Sequence, residues 1–300
     1  MRVDPTYLSN LTGALNQSSS MISNLTSELS SGLSIQSLQD NPVAVAQSTL
    51  LASQIEQADT FVQSATGVGS MMQVADSTLG DVVTQIDKAL SLAVEANNGT
   101  QNASNNASVA QSLSGILSEV VSLANTSYQG QYLFSGSQGS VQPFTLNTVA
   151  TPPTATYAGD TNVQTVEVPG GQKLPINLPG SSVFGSGATG IMGALSQLIG
   201  DISSGASTAS LSTDTAALTT ALGQLSDQRQ ILDSSLSRLN SASTFAQTSE
   251  SQLLVAQGSL VSANPAVVAT QLSSAETQHQ ALLSVMNTLA NQQDLFQLMR

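Results

Sequence analysis

The chain has 300 residues, of which 8% are charged against about 25% in an ordinary soluble domain, and 19 acids outweigh 6 bases to leave a net charge of -13. Nucleic acid and anionic membrane surfaces are excluded as partners, because phosphate neutralisation needs clustered Lys and Arg, whereas Arg2, Lys88, Lys173, Arg229, Arg238 and Arg300 are scattered singly. With no cysteine, no tryptophan and one histidine, disulfides, thiolate metal sites and most general-base chemistry fall away, and no cofactor or metal is expected.

Apolar spacing predicts a mainly α protein: long antiparallel helices, a coiled-coil-like rod, carrying a small β-rich outer insert. The segment 1–42 opens with a stripe in steps of three and four, Leu8, Leu11, Leu15, Ser18, Ile22, Leu25 and Leu29, which stops at Gly32. A linker from Leu33 leads to Asn41-Pro42, a helix-start pair. The segment 43–129 then reads as a helical hairpin. Its first helix runs from about Val43 toward Ala96 along Leu51, Ile55, Val62, Met72, Asp76, Leu79, Val83, Ile86 and Leu90, with a bend or close helix approach expected at Gly67, Gly69 and Gly80. The turn falls on Asn97–Asn102, and a third helix carrying Val109, Leu113, Ile116, Val120 and Leu123 stops near Tyr128.

Residues 130–190 change character. They hold six of the nine prolines and ten of the 22 glycines, with β-favouring runs at Gln131–Phe134 and Val163–Val168, so a turn-rich β insert is expected. Helical spacing returns over 191–264, strongest along Leu218, Leu222, Leu225, Arg229, Leu232, Leu236 and Leu239. After the Asn264-Pro265 break, 265–300 repeats the pattern as Val268, Leu272, Ala275, His279, Leu282, Met286, Leu289, Gln293 and Phe296. Neither terminal stripe can be buried within its own helix, so each requires a partner helix.

The ordered strings Ser30-Ser31-Gly32-Leu33-Ser34-Ile35, Asp40-Asn41-Pro42-Val43-Ala44, Gly130-Gln131-Tyr132-Leu133-Phe134-Ser135-Gly136 and Ala269-Thr270-Gln271-Leu272 through Arg300 resemble the flagellin superfamily, in its hook-associated protein 3 (FlgL-type) junction branch. The resemblance covers about residues 1–136 and 215–300. It departs before the closing helix, where the branch often carries an acidic pair and this chain has Ser262-Ala263-Asn264-Pro265.

The resemblance implies a non-enzymatic structural subunit of the bacterial flagellum, placed outside the cell at the hook–filament junction and exported by the flagellar secretion system without a cleaved signal peptide. It implies as partners further copies of the chain in a ring, the hook-side junction protein, flagellin and an export chaperone. The assembly surfaces would be the two seams: Leu8, Leu11, Leu15, Ile22, Leu25 and Leu29 at the amino end, and Leu272, Leu282, Met286, Leu289 and Phe296 at the carboxyl end. Two alternatives stand beside it: a flagellin filament subunit, and a secreted binding module that uses the insert.

Other motifs read as structural. Gly185-Ser186-Gly187-Ala188-Thr189-Gly190 has dinucleotide-loop spacing but lacks a surrounding βαβ unit, so it is expected to be a return loop. His279 is expected to set seam register, and Asp76, Asp81 and Asp87 to form a solvated helix face.

Overall fold

The computed structural model describes residues 5–35, 41–97 and 102–298, with side chains over 9–35, 41–97 and 102–289. The side chains of Leu8, Gln293 and Phe296, and most of the turn expected at Asn97–Asn102, lie outside the described residues. Seven helices and three small sheets make up the described fold. They fall into two compact units, Met1–Ala58 with Ser249–Arg300 (unit 1) and Asp59–Thr248 (unit 2).

Local chemistry sets the helix ends. Helix α1, Pro5–Ser31, closes on Gly32, whose φ of 71° is costly for any residue with a Cβ, and the Gly32 amide donates to Glu28 O at 2.9 Å. Helix α2, Pro42–Ala96, starts where Asn41 Oδ1 accepts from the Ala44 amide at 3.1 Å, with Pro42 in the first turn. Helix α3, Ala103–Ala124, is capped in the same way by Asn102, which accepts from the Asn105 amide at 2.8 Å. It ends four residues before Tyr128 because Asn125 leaves the helix to bond Phe144 in both directions, each at 2.9 Å.

By length and composition α3 is apolar enough to cross a membrane. Its apolar face, Val109, Leu113, Leu117 and Val120, is instead buried in the core of unit 2, so α3 is a core helix.

The insert holds three antiparallel two-stranded ladders. They pair β1 (Ser127–Tyr128) with β2 (Gln131–Tyr132), β3 (Phe144–Asn147) with β4 (Thr154–Tyr157), and β5 (Thr165–Val168) with β6 (Gln172–Pro175). The first turn has Gln129 and Gly130 at φ 51° and 81°, the double left-handed geometry of a tight hairpin. One short turn, α4 (Gly180–Val183), follows, then α5 (Gly190–Ser204). Helices α6 (Thr208–Val261) and α7 (Pro265–Leu298) complete the chain, and Asn264 caps α7 by accepting from the Ala266 amide at 3.1 Å.

Unit 2 has one continuous core, with Leu79, Val82 and Ile86 from α2, Leu195 and Leu198 from α5, and Leu218, Leu225 and Leu232 from α6. The insert adds aromatic rings to it. Phe184 meets Phe134 edge-on at 5.2 Å and Phe144 at 5.5 Å, and Phe144 packs on Tyr157 at 5.0 Å. The close helix approach expected along α2 is found at Gly69 against Leu236 and at Gly80 against Arg229, while Gly67 faces open space.

A polar knot closes the insert. The Asp160 carboxylate accepts from the Ser137 hydroxyl, from the Ser137 amide at 2.8 Å and from the Asn162 amide at 3.1 Å, while Asn177 Nδ2 donates to Gly136 O at 2.9 Å. The Ser137 hydroxyl, and after it the Ser137 amide, holds the Asp160 carboxyl below its ordinary value of 3.8. The contribution of this carboxylate is therefore complete above the ordinary value and is lost as pH falls through the lowered one. Asp160→Asn is expected to flatten the acid side of the unit 2 stability profile below about pH 4, read by thermal unfolding followed through tyrosine fluorescence.

Candidate assembly interface

Unit 1 contains α1, the first turns of α2, the last turns of α6, and α7. Helix α1 packs along α7. The register is set where the chain leaves α1: Leu33 forms an antiparallel bridge with Ser262, the Ser34 amide donates to Val261 O at 2.8 Å, and the Ala263 amide donates to Gly32 O at 2.8 Å. From that bridge the two helices run in opposite directions, so each terminal stripe finds its partner in the other. Nearby, Gln257 Nε2 on α6 donates to Ser48 O on α2 at 3.2 Å.

The stripes are only partly closed. Val268 and Ala275 are buried. Leu11, Leu15, Ile22, Leu25, Leu272, Leu282 and Leu289 are half-buried, and Leu29 and Met286 are exposed. A groove of about 410 Å³ follows the seam between Met21, Leu25, Gln271, Ser274, Ala275 and Gln278. Sequence reading missed a second apolar set outside the stripes, since Met21, Val267, Leu283 and Val285 are all at least 43% exposed. Their signal was available as large apolar residues at off-stripe positions of α1 and α7, because a helix with one buried face has no use for them there.

Among the described side chains of unit 1 the charge has one sign. Among its described side chains the charged groups are Glu28, Glu56, Glu250 and Glu276, with no Lys or Arg.

Two polar stripe residues follow the register reading to different ends. Arg229 Nε on α6 donates to Asp76 Oδ1 on α2 at 2.9 Å, with both side chains about 30% exposed. This corrects the solvated-face expectation for Asp76. The pair joins residues 153 positions apart, and at that exposure it contributes to helix register more than to stability. His279 is half-buried, and its Nδ1 is buried without a hydrogen-bond partner. The Gly185–Gly190 run is a turn with Gly185, Gly187 and Gly190 at positive φ, preceded by α4 and not by a strand. Every described strand pair is antiparallel, so the parallel unit that a dinucleotide loop requires is not formed there.

Against known proteins, the chain matches the bacterial flagellin N-terminal helical region over residues 6–139. It is 28% identical over 181 residues to flagellar hook-associated protein 3 of Salmonella typhimurium, covering 60% of this chain and 55% of that protein. It is 26% identical over 160 residues to the Escherichia coli protein of the same name, covering 53% and 49%. The chain thus spans about half the length of the curated relatives it matches. The fold is similar to that of flagellar hook-associated protein 3 from Legionella pneumophila, with a TM-score of 0.60 and 15% identity over 70% of this chain and 97% of that one.

Proposed function

We propose that this protein is a structural subunit of the bacterial flagellum that joins hook to filament, and that the α1–α7 pair is its assembly element. The observation that carries the reading is the kind of relative it matches: both curated proteins are named hook-associated protein 3, and neither is named flagellin. The partly closed seams and exposed apolar set of unit 1 support it physically, because such side chains gain about 25 cal/mol for each Å² that neighbouring subunits cover. In this reading the chain leaves the cell through the flagellar export channel, held beforehand by a chaperone, and forms a ring with its own copies between the hook-side junction protein and flagellin. The work is done at interfaces, without catalysis.

Deletion of the gene tests this. The expected result is bare hooks with flagellin leaking into the medium. Completed junctions with no leaked flagellin would assign the chain to the filament instead. Normal motility, with the insert binding a surface ligand, would make it a secreted binding module.

A further inference from the structure

One carboxyl group in unit 2 is buried without a counter-charge. Asp214, in the second turn of α6, is 8% exposed, and its Oδ2 has no hydrogen-bond partner. Its carboxyl neighbour is Asp201, near the end of α5. Asp201 is fixed in place, because its Oδ1 accepts from Gln197 Nε2 at 3.2 Å and its carbonyl accepts from the Ala206 amide at 2.8 Å and the Ser204 hydroxyl at 3.1 Å.

Among the described residues of these elements, no base relieves the pair. Asp201 is the only charged residue of α5, Glu119 the only one of α3, and Asp214 the only one of α6 before Asp227. The last turns of α2, which meet α6 around Val94, Asn97, Ser212 and Thr215, contribute Asp87, Lys88 and Glu95, all exposed. Two carboxylates so placed would be partly stripped of water and would repel each other. A single proton removes both penalties, turning one oxygen into a donor for the other carboxyl.

We infer that Asp201 and Asp214 form a proton-binding site that fastens the end of α5 to the start of α6, so that unit 2 takes up a proton there as it folds. The direction of titration agrees. Burial first, and then the Asp201 carboxyl, pushes Asp214 up from 3.8 to about 6. A carboxyl raised in the folded state contributes stability that is complete below its unfolded value and is lost as pH rises through the folded one. The window is therefore about pH 4 to 6.

The test is urea unfolding of the full chain at pH 5 and pH 7.5, followed by tyrosine fluorescence, since Tyr128, Tyr132 and Tyr157 lie in unit 2. The chain's other carboxylates also respond to pH, so the quantity that matters is the difference between wild type and Asp214→Asn. Wild type is expected to gain about tenfold more in its folding equilibrium constant on acidification than the variant does. Asp201→Asn, which removes the second carboxyl but leaves Asp214 buried, is expected to reduce the excess in part. Parallel pH profiles for wild type and both variants would overturn the proposal. So would stabilisation of wild type, and not of Asp214→Asn, by calcium chloride alone at pH 7.5, because the pair would then hold a cation in place of the proton. If Asp214→Asn does not fold, carbon-detected titration of the Asp214 carboxyl in wild type decides: a midpoint near 6 supports the site and one below 5 refutes it.

Discussion

Replacing Leu282 and Leu289 together by Asp is expected to abolish incorporation of the subunit into flagella while leaving its secretion intact. Both leucines are half-buried on the face of α7 that carries the seam with α1. Half-burial of one leucine is worth about 1 kcal/mol, and each introduced carboxylate adds a desolvation cost, so the pair loses about 3–5 kcal/mol of seam energy. At 1.4 kcal/mol per factor of ten, that is about a hundredfold or more in occupancy. Quantities of the variant in culture medium and in sheared flagella read the two outcomes separately. Val285→Asp, on an exposed position of the same helix, keeps the α1–α7 pair, and reduced incorporation from it would show that neighbouring subunits cover this second face.

The second large effect belongs to unit 2. Phe184→Ala removes the ring that touches both Phe134 and Phe144, each fully buried with it. Emptying a site of that size costs about 3–5 kcal/mol, part lost transfer energy and part cavity. Urea unfolding monitored by tyrosine fluorescence should move to a clearly lower midpoint. Phe184→Leu, which keeps most of the apolar volume, should recover more than half of the loss.

Much of this was legible because helices with one apolar face announce themselves. The Asn-Pro pairs at 41–42 and 264–265 start α2 and α7 as expected, since capping and a proline-compatible first turn are local chemistry. The turn-rich composition placed the insert for the same reason. Contacts distant in sequence were not legible. Asn125 ends α3 early by bonding Phe144, and nothing near Asn125 in sequence announces that partner. Helix α6 begins at Thr208, before the stripe is readable, because its first turn is rich in Ser and Thr. The pairing of Asp76 is not legible either, because its partner Arg229 sits on another helix 153 positions away.

The two seams are each legible within their own helix, but periodicity within a helix does not say that the two seams meet. That information lies in the Leu33–Ser262 bridge, a backbone pairing without a side-chain signature. The exposed apolar set is not legible from periodicity, which marks the positions a helix buries and not those it leaves uncovered.

The chain has no cysteine, so one can be introduced as a unique handle at Val149, which is 91% exposed on the β3–β4 loop. Flagella assembled with Val149→Cys and labelled with maleimide-gold can be viewed directly by electron microscopy. A single focal band where hook meets filament is the predicted result, and label distributed along the whole filament, or unlabelled junctions on fully assembled flagella, would contradict the junction role.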